Sequence, residues 1–570
     1  MLRSSPLVVL LVTLACTASD RTAGPERFDV VVYGGTSGGV AAAIQARDMG
    51  RTVVLLEPSN HLGGLSSSGL GNTDIGNKGA IGGLSRRFYE RVAAHYARPE
   101  AWVHETREQY LERSAIGNQG HGRSDPVAEG TGVPTMWVFE PSVAEGIFRA
   151  MVDEAGVDVR FGQRLDLGGG VKKDGARIRS VRMESGELYE GRAFIDATYE
   201  GDLMAEAGVS YTVGREGNEV YDETLNGVQT KNAVSHQFEV PVDPWVVPGD
   251  PTSGLLPGIH DGGPGAEGSG DHRVQAYNFR MTLTDVPENR LPIPPPEGYD
   301  PGRYELLRRY IDAGHFDALD LNSPMPNRKT DVNNHGAFSS DHIGANYEYP
   351  DGDYTTRQRI FEDHVSYVMG LWYFLQNDPR LPEPVRASAG RWGLCRDEFE
   401  DSGHWPHQMY VREARRMVND HVMTEHHCRG DERVEDPVGL AAYGMDSHNT
   451  QRYVVDGRVF NEGDVQVRVP APYPVGYRAI VPRAREADNL LVPVALAASH
   501  IAYGSIRMEP VFMILGQSAA TAASLALDGG GIVQDVAYAE LRERLLADGQ
   551  FLEWGSASAP NHAPPPDGGP

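Results

Sequence analysis

Three observations predict an α/β fold organised around a dinucleotide site. The run Phe28-Asp29-Val30-Val31-Val32-Tyr33-Gly34-Gly35-Thr36-Ser37-Gly38-Gly39-Val40-Ala41-Ala42-Ala43 reads as a short β-branched strand, a glycine-rich turn and a small-residue helix. A second apolar strand, Thr52 to Leu56, ends in Glu57, 18 residues past Gly39. Near the other end of the chain, a helix over Val511 to Leu527 carries Gly516, Ser518, Ala519, Ala520, Ala522 and Ala523, which suit close packing against another backbone.

Each element has a local reason. Gly34 makes the tight turn and Gly39 lets the helix approach the strand, while the Gly34–Gly39 amides, including those of Gly35, Ser37 and Gly38, face a pyrophosphate. Thr36 stands where the usual motif has glycine; its hydroxyl either caps the helix or bonds a phosphate oxygen. Gly50 ends the helix, and the Glu57 carboxylate accepts hydrogen bonds from ribose hydroxyls. The stretch Leu62 to Gly71, with Gly63 and Gly64, is too rich in glycine and serine for a core and suits backbone laid against a flat ligand.

Helices are expected over Leu84–Tyr96 and over Val143–Ala155, the latter started by Glu140-Pro141-Ser142. Strands follow at Val157–Phe161, Ile178–Val181 and Leu188–Tyr189, with a return strand at Ala193–Thr198. Residues 236–310 are rich in proline and glycine but interspersed with aromatics, so they read as long ordered loops. Further helices are expected at Arg303–Ala313 and Arg357–Asn377, and a strand at Asn489–Val494. Pro510 suits a first helical turn, and residues 555–570 read as disordered. There is no internal repeat.

The chain has 570 residues, enough for two or more domains, and is 40% hydrophobic and 23% charged. A net charge of −27 argues against nucleic acid and anionic membranes as partners. Arg3 and the apolar Leu7–Ala15 stretch read as an export signal, and no later stretch looks long and apolar enough to cross a bilayer. Thr13-Leu14-Ala15-Cys16 is similar to a lipoprotein cleavage box with Cys16 as the lipidated residue; the alternative is an ordinary signal peptide cut near Ala18. The expected location is therefore periplasmic or membrane-anchored. Cys395 and Cys428 could pair in an oxidising compartment. Three cysteines are too few for an iron–sulfur cluster, so none is expected.

Four separated pieces give the chain a specific resemblance: Gly34–Gly39 with Glu57; Gly63-Gly64; Asp196-Ala197-Thr198-Tyr199-Glu200-Gly201-Asp202-Leu203; and the 489–527 segment. Together they resemble the bacterial FAD-dependent oxidoreductase family of the glutathione-reductase-like flavoprotein fold. Pro326–Asp331, Trp405–Arg416 and Ser499–Ser505 resemble a subgroup often labelled putative xanthan lyase or FAD-dependent oxidoreductase. The resemblance implies a discontinuous Rossmann-like FAD-binding domain with a large inserted α+β substrate domain. Its expected divisions are 1–24 leader, 25–235 first FAD-binding part, 236–475 substrate or cap domain, 476–550 second FAD-binding part and 551–570 disordered tail. It implies that Gly34–Gly39 hold the FAD pyrophosphate, Glu57 the adenosine ribose, Gly63 and Gly64 the phosphates and flavin, and Asp202, after the Asp196 strand, the ribityl-pyrophosphate region. The alternative for Asp202 is a helix N-cap. The helix starting at Pro510 aims its positive end at the flavin pyrimidine ring. NAD, the rival cofactor, explains residues 28–57 but not the glycine–serine stretch or the Asp196–Asp202 segment.

Flavin chemistry needs a base and a cation or dipole beside the ring. His500, Arg507 and Glu509 are the flavin-side candidates, with a structural ion pair as the alternative for Arg507 and Glu509. His407 as base and Arg412 as oxyanion or carboxylate clamp come from the polar 404–416 segment, which is equally readable as a solvated basic face. His421, His426, His427 and Cys428 lack zinc-site spacing, so no metal is expected. Asp331, Asn333, Asn334 and His335 suit a polyol, though loop polarity also explains them. The leading expectation is an exported FAD-dependent dehydrogenase of a polar alcohol or amine, such as a sugar or glycan fragment, with an unknown electron acceptor. The alternatives are a polysaccharide lyase or isomerase, with or without flavin, and a nucleotide-dependent binding lipoprotein.

Overall fold

A computed structural model describes residues 26–117, 133–315, 321 and 323–555. The leader, Cys16 and residues 556–570 of the tail lie outside the described residues.

The first sheet begins with β1 (Glu26–Tyr33), followed by α1 (Ser37–Asp48) and β2 (Val53–Leu56). After α2 (Pro141–Ala155) come β3 (Asp158–Arg160), β4 (Val171–Asp174), β5 (Arg177–Arg182) and β6 (Leu188–Asp196). The strand order is β3-β2-β1-β6-β5-β4. β1 runs parallel to β2 and to β6, and β2 parallel to β3. β6 is one continuous strand where the sequence suggested two pieces. Its first half pairs antiparallel with β5, and its second half pairs parallel with the late strand Leu490–Leu491, shorter than the Asn489–Val494 expected.

Alternation along β1 explains why the run is apolar throughout. Val30 and Val32 face the cluster that holds α1, whereas Val31 and Tyr33 face a second cluster with Val54, Leu56 and Ile178. A strand covered on both faces has no polar side.

The middle of the chain contributes an antiparallel sheet of β7 (Met281–Thr284), β8 (Arg290–Leu291), β9 (Pro324–Met325), β10 (Lys329–Val332) and β11 (Gly393–Cys395), in the order β9-β10-β7-β11-β8. Between β10 and β11 lies α3 (Tyr354–Asn377), capped by Asp353, one turn longer at its start than the sequence indicated. The segment Gln408–Glu413 is neither strand nor helix. Its one β-bridge among the described residues joins Asn278 to Tyr410. Cys395 and Cys428 are both buried and free, so the pairing expectation is corrected: Cys395 lies in β11 with its thiol toward the Thr282 carbonyl, and Cys428 lies in the separate short helix Glu425–Arg429.

The chain then returns through α4 (His500–Ile506) to α5 (Glu509–Asp528). By length and composition α5 could cross a membrane, contrary to the sequence reading, but it is packed inside the protein. It crosses α1 where Gly38 and Gly516 touch: a β-carbon on Gly516 would run into the Gly38 carbonyl, and one on Gly38 would lie 2.9 Å from the Phe512 carbonyl. That contact brings the two ends of the chain to one place.

Candidate active site

The turn after β1 is shaped by steric need. Gly34 has φ +98°, and a β-carbon there would lie 2.8 Å from the Thr198 side chain. A β-carbon on Gly39 would strike the Gly34 carbonyl. Thr36 is the N-cap of α1: its hydroxyl donates to the Ala197 carbonyl at 2.7 Å and accepts the Gly39 N–H at 3.2 Å. Of the two roles open to that hydroxyl, capping is the one it performs here. Gly63 and Gly64 have φ +101° and +56°, and a β-carbon on Gly64 would lie 3.3 Å from Thr36 Cα. The second glycine loop therefore passes directly over the start of α1.

Glu57 follows β2 and accepts the Gly35 and Ser59 N–H groups, each at 2.6 Å. Burial raises its carboxyl above the ordinary value despite those bonds. Gly34, Thr36 and Glu57 line a cavity of about 230 Å³ together with Tyr349, Arg357 and His407 from the middle of the chain. The volume is below the ordinary range of ligand pockets, about 300–1,000 Å³, so it suits one end of a dinucleotide. The donor set fits FAD: close-approach glycines, the positive end of α1 and an acidic ribose acceptor.

His407 supplies an independent sign of a ligand. Both ring nitrogens are buried without a partner among the described residues. Its ring stacks on His61 at 3.7 Å, and burial, then the neighbouring His61, lower its pKa to about 3. A neutral imidazole offers one donor and one acceptor to whatever occupies the cavity. Sequence reasoning placed His407 at the reacting centre; the structure places it in the wall of the cavity that Glu57 also lines.

Asp202 lies at the start of the short helix Asp202–Glu206 and holds two guanidiniums, Arg357 at 2.6 and 2.8 Å and Arg415 at 2.7 Å. Burial favours its neutral form, but the two arginines overcome that and hold the carboxyl below its ordinary range. Asp196 accepts the Thr198 N–H at 3.1 Å, its hydroxyl at 2.7 Å and the Met204 N–H at 2.8 Å, which orders the turn after β6. Burial pushes its carboxyl to about 6.

Pro510 sits in the first turn of α5, beside Glu509. The Glu509 carboxyl accepts from Ser37 Oγ at 2.6 Å, Tyr199 OH at 2.7 Å and Ser66 Oγ at 3.3 Å. It has hydroxyl partners and no ion pair among the described residues, and burial pushes it to about 7. Arg507 is also buried, with Nη1 donating to Tyr410 OH at 2.8 Å. Glu509 and Arg507 therefore have separate partners rather than forming a pair with each other.

His500, at the start of α4, has both ring nitrogens engaged. Nδ1 faces the Glu413 carboxylate at 2.8 Å, which assigns it the proton, and Nε2 accepts from Ser447 Oγ at 2.9 Å. All three side chains are buried, so His500 positions its neighbours. Arg412 is buried too, 2.9 Å from Asp341 and with its guanidinium 4.5 Å from the Tyr410 ring centre. Asp331, a polyol candidate from the sequence, is paired with Arg280 and accepts the Asn72 N–H at 3.0 Å. His427 caps its own helix through Thr424.

Sequence reasoning missed Tyr199, Arg357 and Tyr349 at the cavity, and Gln275, Asp341, Asp446 and His448 around Arg412. One signal was readable: Asp446-Ser447-His448-Asn449-Thr450-Gln451 is an unbroken polar run, yet five of the six side chains are buried.

A model of the FAD dependent oxidoreductase family matches residues 29–545. No curated protein matches the chain. Among solved structures, an L-amino acid deaminase from Proteus vulgaris aligns over 34% of this chain and 52% of its own, at 17% identity and a TM-score of 0.23. An L-proline dehydrogenase from P. horikoshii aligns over 34% of this chain and 59% of its own, at 16% identity and a TM-score of 0.23. A flavocytochrome c3 fumarate reductase aligns over 35% and 44%, at 19% identity and a TM-score of 0.21. The chain thus spans about half the length of these structures.

Proposed function

Since the chain belongs to the FAD dependent oxidoreductase family, we propose that it dehydrogenates a polar alcohol or amine, such as a sugar or glycan fragment, with FAD as the hydride acceptor. FAD, when bound, supplies the two-electron chemistry. The observation that carries the reading is the cavity shared by Gly34, Thr36 and Glu57, with the His407 ring in its wall, whose nitrogens have no hydrogen-bond partner among the described residues.

The chain's own residues bind, orient and move a proton. The amides of Ser37 and Gly38 at the start of α1 favour the pyrophosphate and Glu57 favours the ribose, whereas the Gly35 N–H expected for the pyrophosphate is held by Glu57. The N-terminal end of α5 favours negative charge beside it, by up to about 2 kcal/mol in partly buried settings. Glu509, poised near neutrality by burial, exchanges the proton that a substrate hydroxyl or amine gives up, with Ser37, Ser66 and Tyr199 as its hydroxyl partners. His500 holds Glu413 and Ser447 behind this region as a positioning residue.

The test uses the purified full-length protein, yellow and anaerobic, offered sugars, polyols and amines in turn. Bleaching by one of them is the expected result. A protein that stays yellow with all of them, or that cleaves a glycan polymer without bleaching, overturns the dehydrogenase reading. We also propose that the protein acts outside the cytoplasm, supported by the Arg3 and Leu7–Ala15 pattern. Cys16→Ala should then release it from the membrane fraction if the lipid anchor is present.

A further inference from the structure

Next to the glycine cradle, six buried or half-buried side chains form a closed circuit. Arg412 Nη1 lies 2.9 Å from Asp341 Oδ1, and Asp341 Oδ2 lies 3.0 Å from His448 Nδ1. His448 Nε2 lies 3.5 Å from Asp446, and Asp446 lies 3.4 Å from Arg507 Nη2. Arg507 donates to Tyr410 OH, and the Tyr410 ring returns to the Arg412 guanidinium. Gln275 joins it from the side, its Oε1 accepting from the His448 N–H at 3.1 Å and from Arg507 at 3.3 Å.

The circuit leaves hydrogen-bonding groups unused. Arg412 Nε and Nη2, Arg507 Nε and Gln275 Nε2 are buried donors with no hydrogen-bond partner among the described residues. Close by, Asn278 Oδ1 and Asn449 Oδ1 are buried acceptors with none among the same residues. Asn278 accepts the Tyr410 N–H through its backbone, and Asn449 accepts the Ala276 N–H through its own. Arg412 is 1% exposed, Arg507 4%, and Gln275 and Asn278 0%. Buried polar atoms in a folded protein ordinarily find partners, so such a concentration needs an occupant. The circuit also adjoins the cofactor cradle: Gln408, two residues before Tyr410, donates its N–H to Ser68 Oγ at 2.7 Å, and Arg507 leads into α5.

We propose that this circuit binds neighbouring hydroxyl groups of a neutral polyhydroxylated ligand, a sugar or polyol, which rests on the reading of the chain as a dehydrogenase of polar alcohols. A hydroxyl both accepts and donates, so adjacent hydroxyls satisfy the guanidinium and amide donors and the two asparagine acceptors together. A carboxylate accepts from the arginines but has nothing to give Asn278 or Asn449, and it meets the charges of Asp341 and Asp446. An ammonium group donates to the asparagines but faces two guanidiniums.

The test is thermal unfolding of the full-length protein with and without D-glucose, myo-inositol, D-glucuronate or glycine, for the wild type and for two variants. Arg412→Lys keeps a positive charge for Asp341 while deleting both unused Arg412 donors. Gln275→Glu keeps the acceptor for His448 and deletes the unused Gln275 donor. Ligand that binds the folded state raises the unfolding temperature. We expect a rise with glucose or inositol in the wild type, and at least a tenfold weaker response in both variants, with visible flavin content unchanged. Stabilisation by glycine alone, or by glucuronate without any neutral polyol, overturns the ligand class. A polyol response equal in wild type and variants, or no response to any neutral polyol, overturns the site. Loss of flavin absorption in the wild type speaks instead against the FAD reading, because the thermal shift does not depend on colour.

Discussion

The glycine cradle and the polar circuit around Arg412 lie side by side but are built by opposite means. The cradle is made of backbone: Gly34, Gly39, Gly63 and Gly64 occupy positions where a β-carbon would collide, and its few side chains are already engaged. The circuit is made of charged side chains drawn from residues 275 to 507, several with atoms still unused. A backbone site suits a ligand that many proteins hold alike. A side-chain site can change its ligand by changing a few residues. On the proposed reading, cofactor binding and substrate choice reside in different physical material.

Four substitutions break or sharpen that contrast, beginning with the largest effect. Gly39→Val forces a branched side chain into the Gly34 carbonyl, so α1 cannot close on β1. FAD affinity should fall by about a thousandfold, or ~4 kcal/mol, measured by flavin titration. Full retention of flavin would mean that the loop is not the pyrophosphate site. Arg357→Met removes one of the two guanidiniums on buried Asp202, at the seam between the cradle and α3. Urea unfolding should show a loss of about 3 kcal/mol, since the remaining charge is left under-compensated. An unchanged midpoint would make the seam ornamental to stability.

The third substitution concerns Glu509, where the two regions meet. Its folded carboxyl is raised from 4.5 to about 7, so the folded chain holds that proton more tightly than the unfolded chain does. This contribution is whole below pH 4.5, declines as pH rises, and is gone above about 7. Glu509→Gln, always neutral, should match the wild type near pH 4 and be more stable by about 3 kcal/mol at alkaline pH. A difference that does not vary with pH would contradict the buried, near-neutral carboxyl. The smallest effect belongs to Thr36→Ala. It removes the cap on α1 and should cost about 1 kcal/mol of stability while leaving FAD affinity nearly intact. A large loss of affinity instead would return the hydroxyl to the phosphate.

The cradle was legible in the sequence because its causes are local. A strand, a turn needing φ > 0, a small-faced helix and a following acid lie within residues 28–57, and the structure arranges them in that order. The small face of α5 was legible for the same reason, and its partner is Gly38. What the middle of the chain adds was not. Arg357 reaches Asp202 across 155 residues, and His407 meets His61 from outside any strand or helix, so no periodicity announced either contact. The roles given to His500 and His407 depended on which neighbours would take their nitrogens. His500 is occupied by Glu413 and Ser447, whereas His407 has no hydrogen-bond partner among the described residues. The circuit was hidden because its ion pairs join distant positions. Only the buried polar run from Asp446 to Gln451 marked it, and burial is not visible in composition.

The central claim is that the Gly34–Gly39 turn, Glu57 and the Gly63-Gly64 loop hold FAD. The most direct measurement is the flavin content of the purified full-length protein, read from its visible spectrum and from the nucleotide released on heating. The account predicts a yellow protein that releases one FAD per chain. A colourless protein that takes up no FAD on incubation would contradict it.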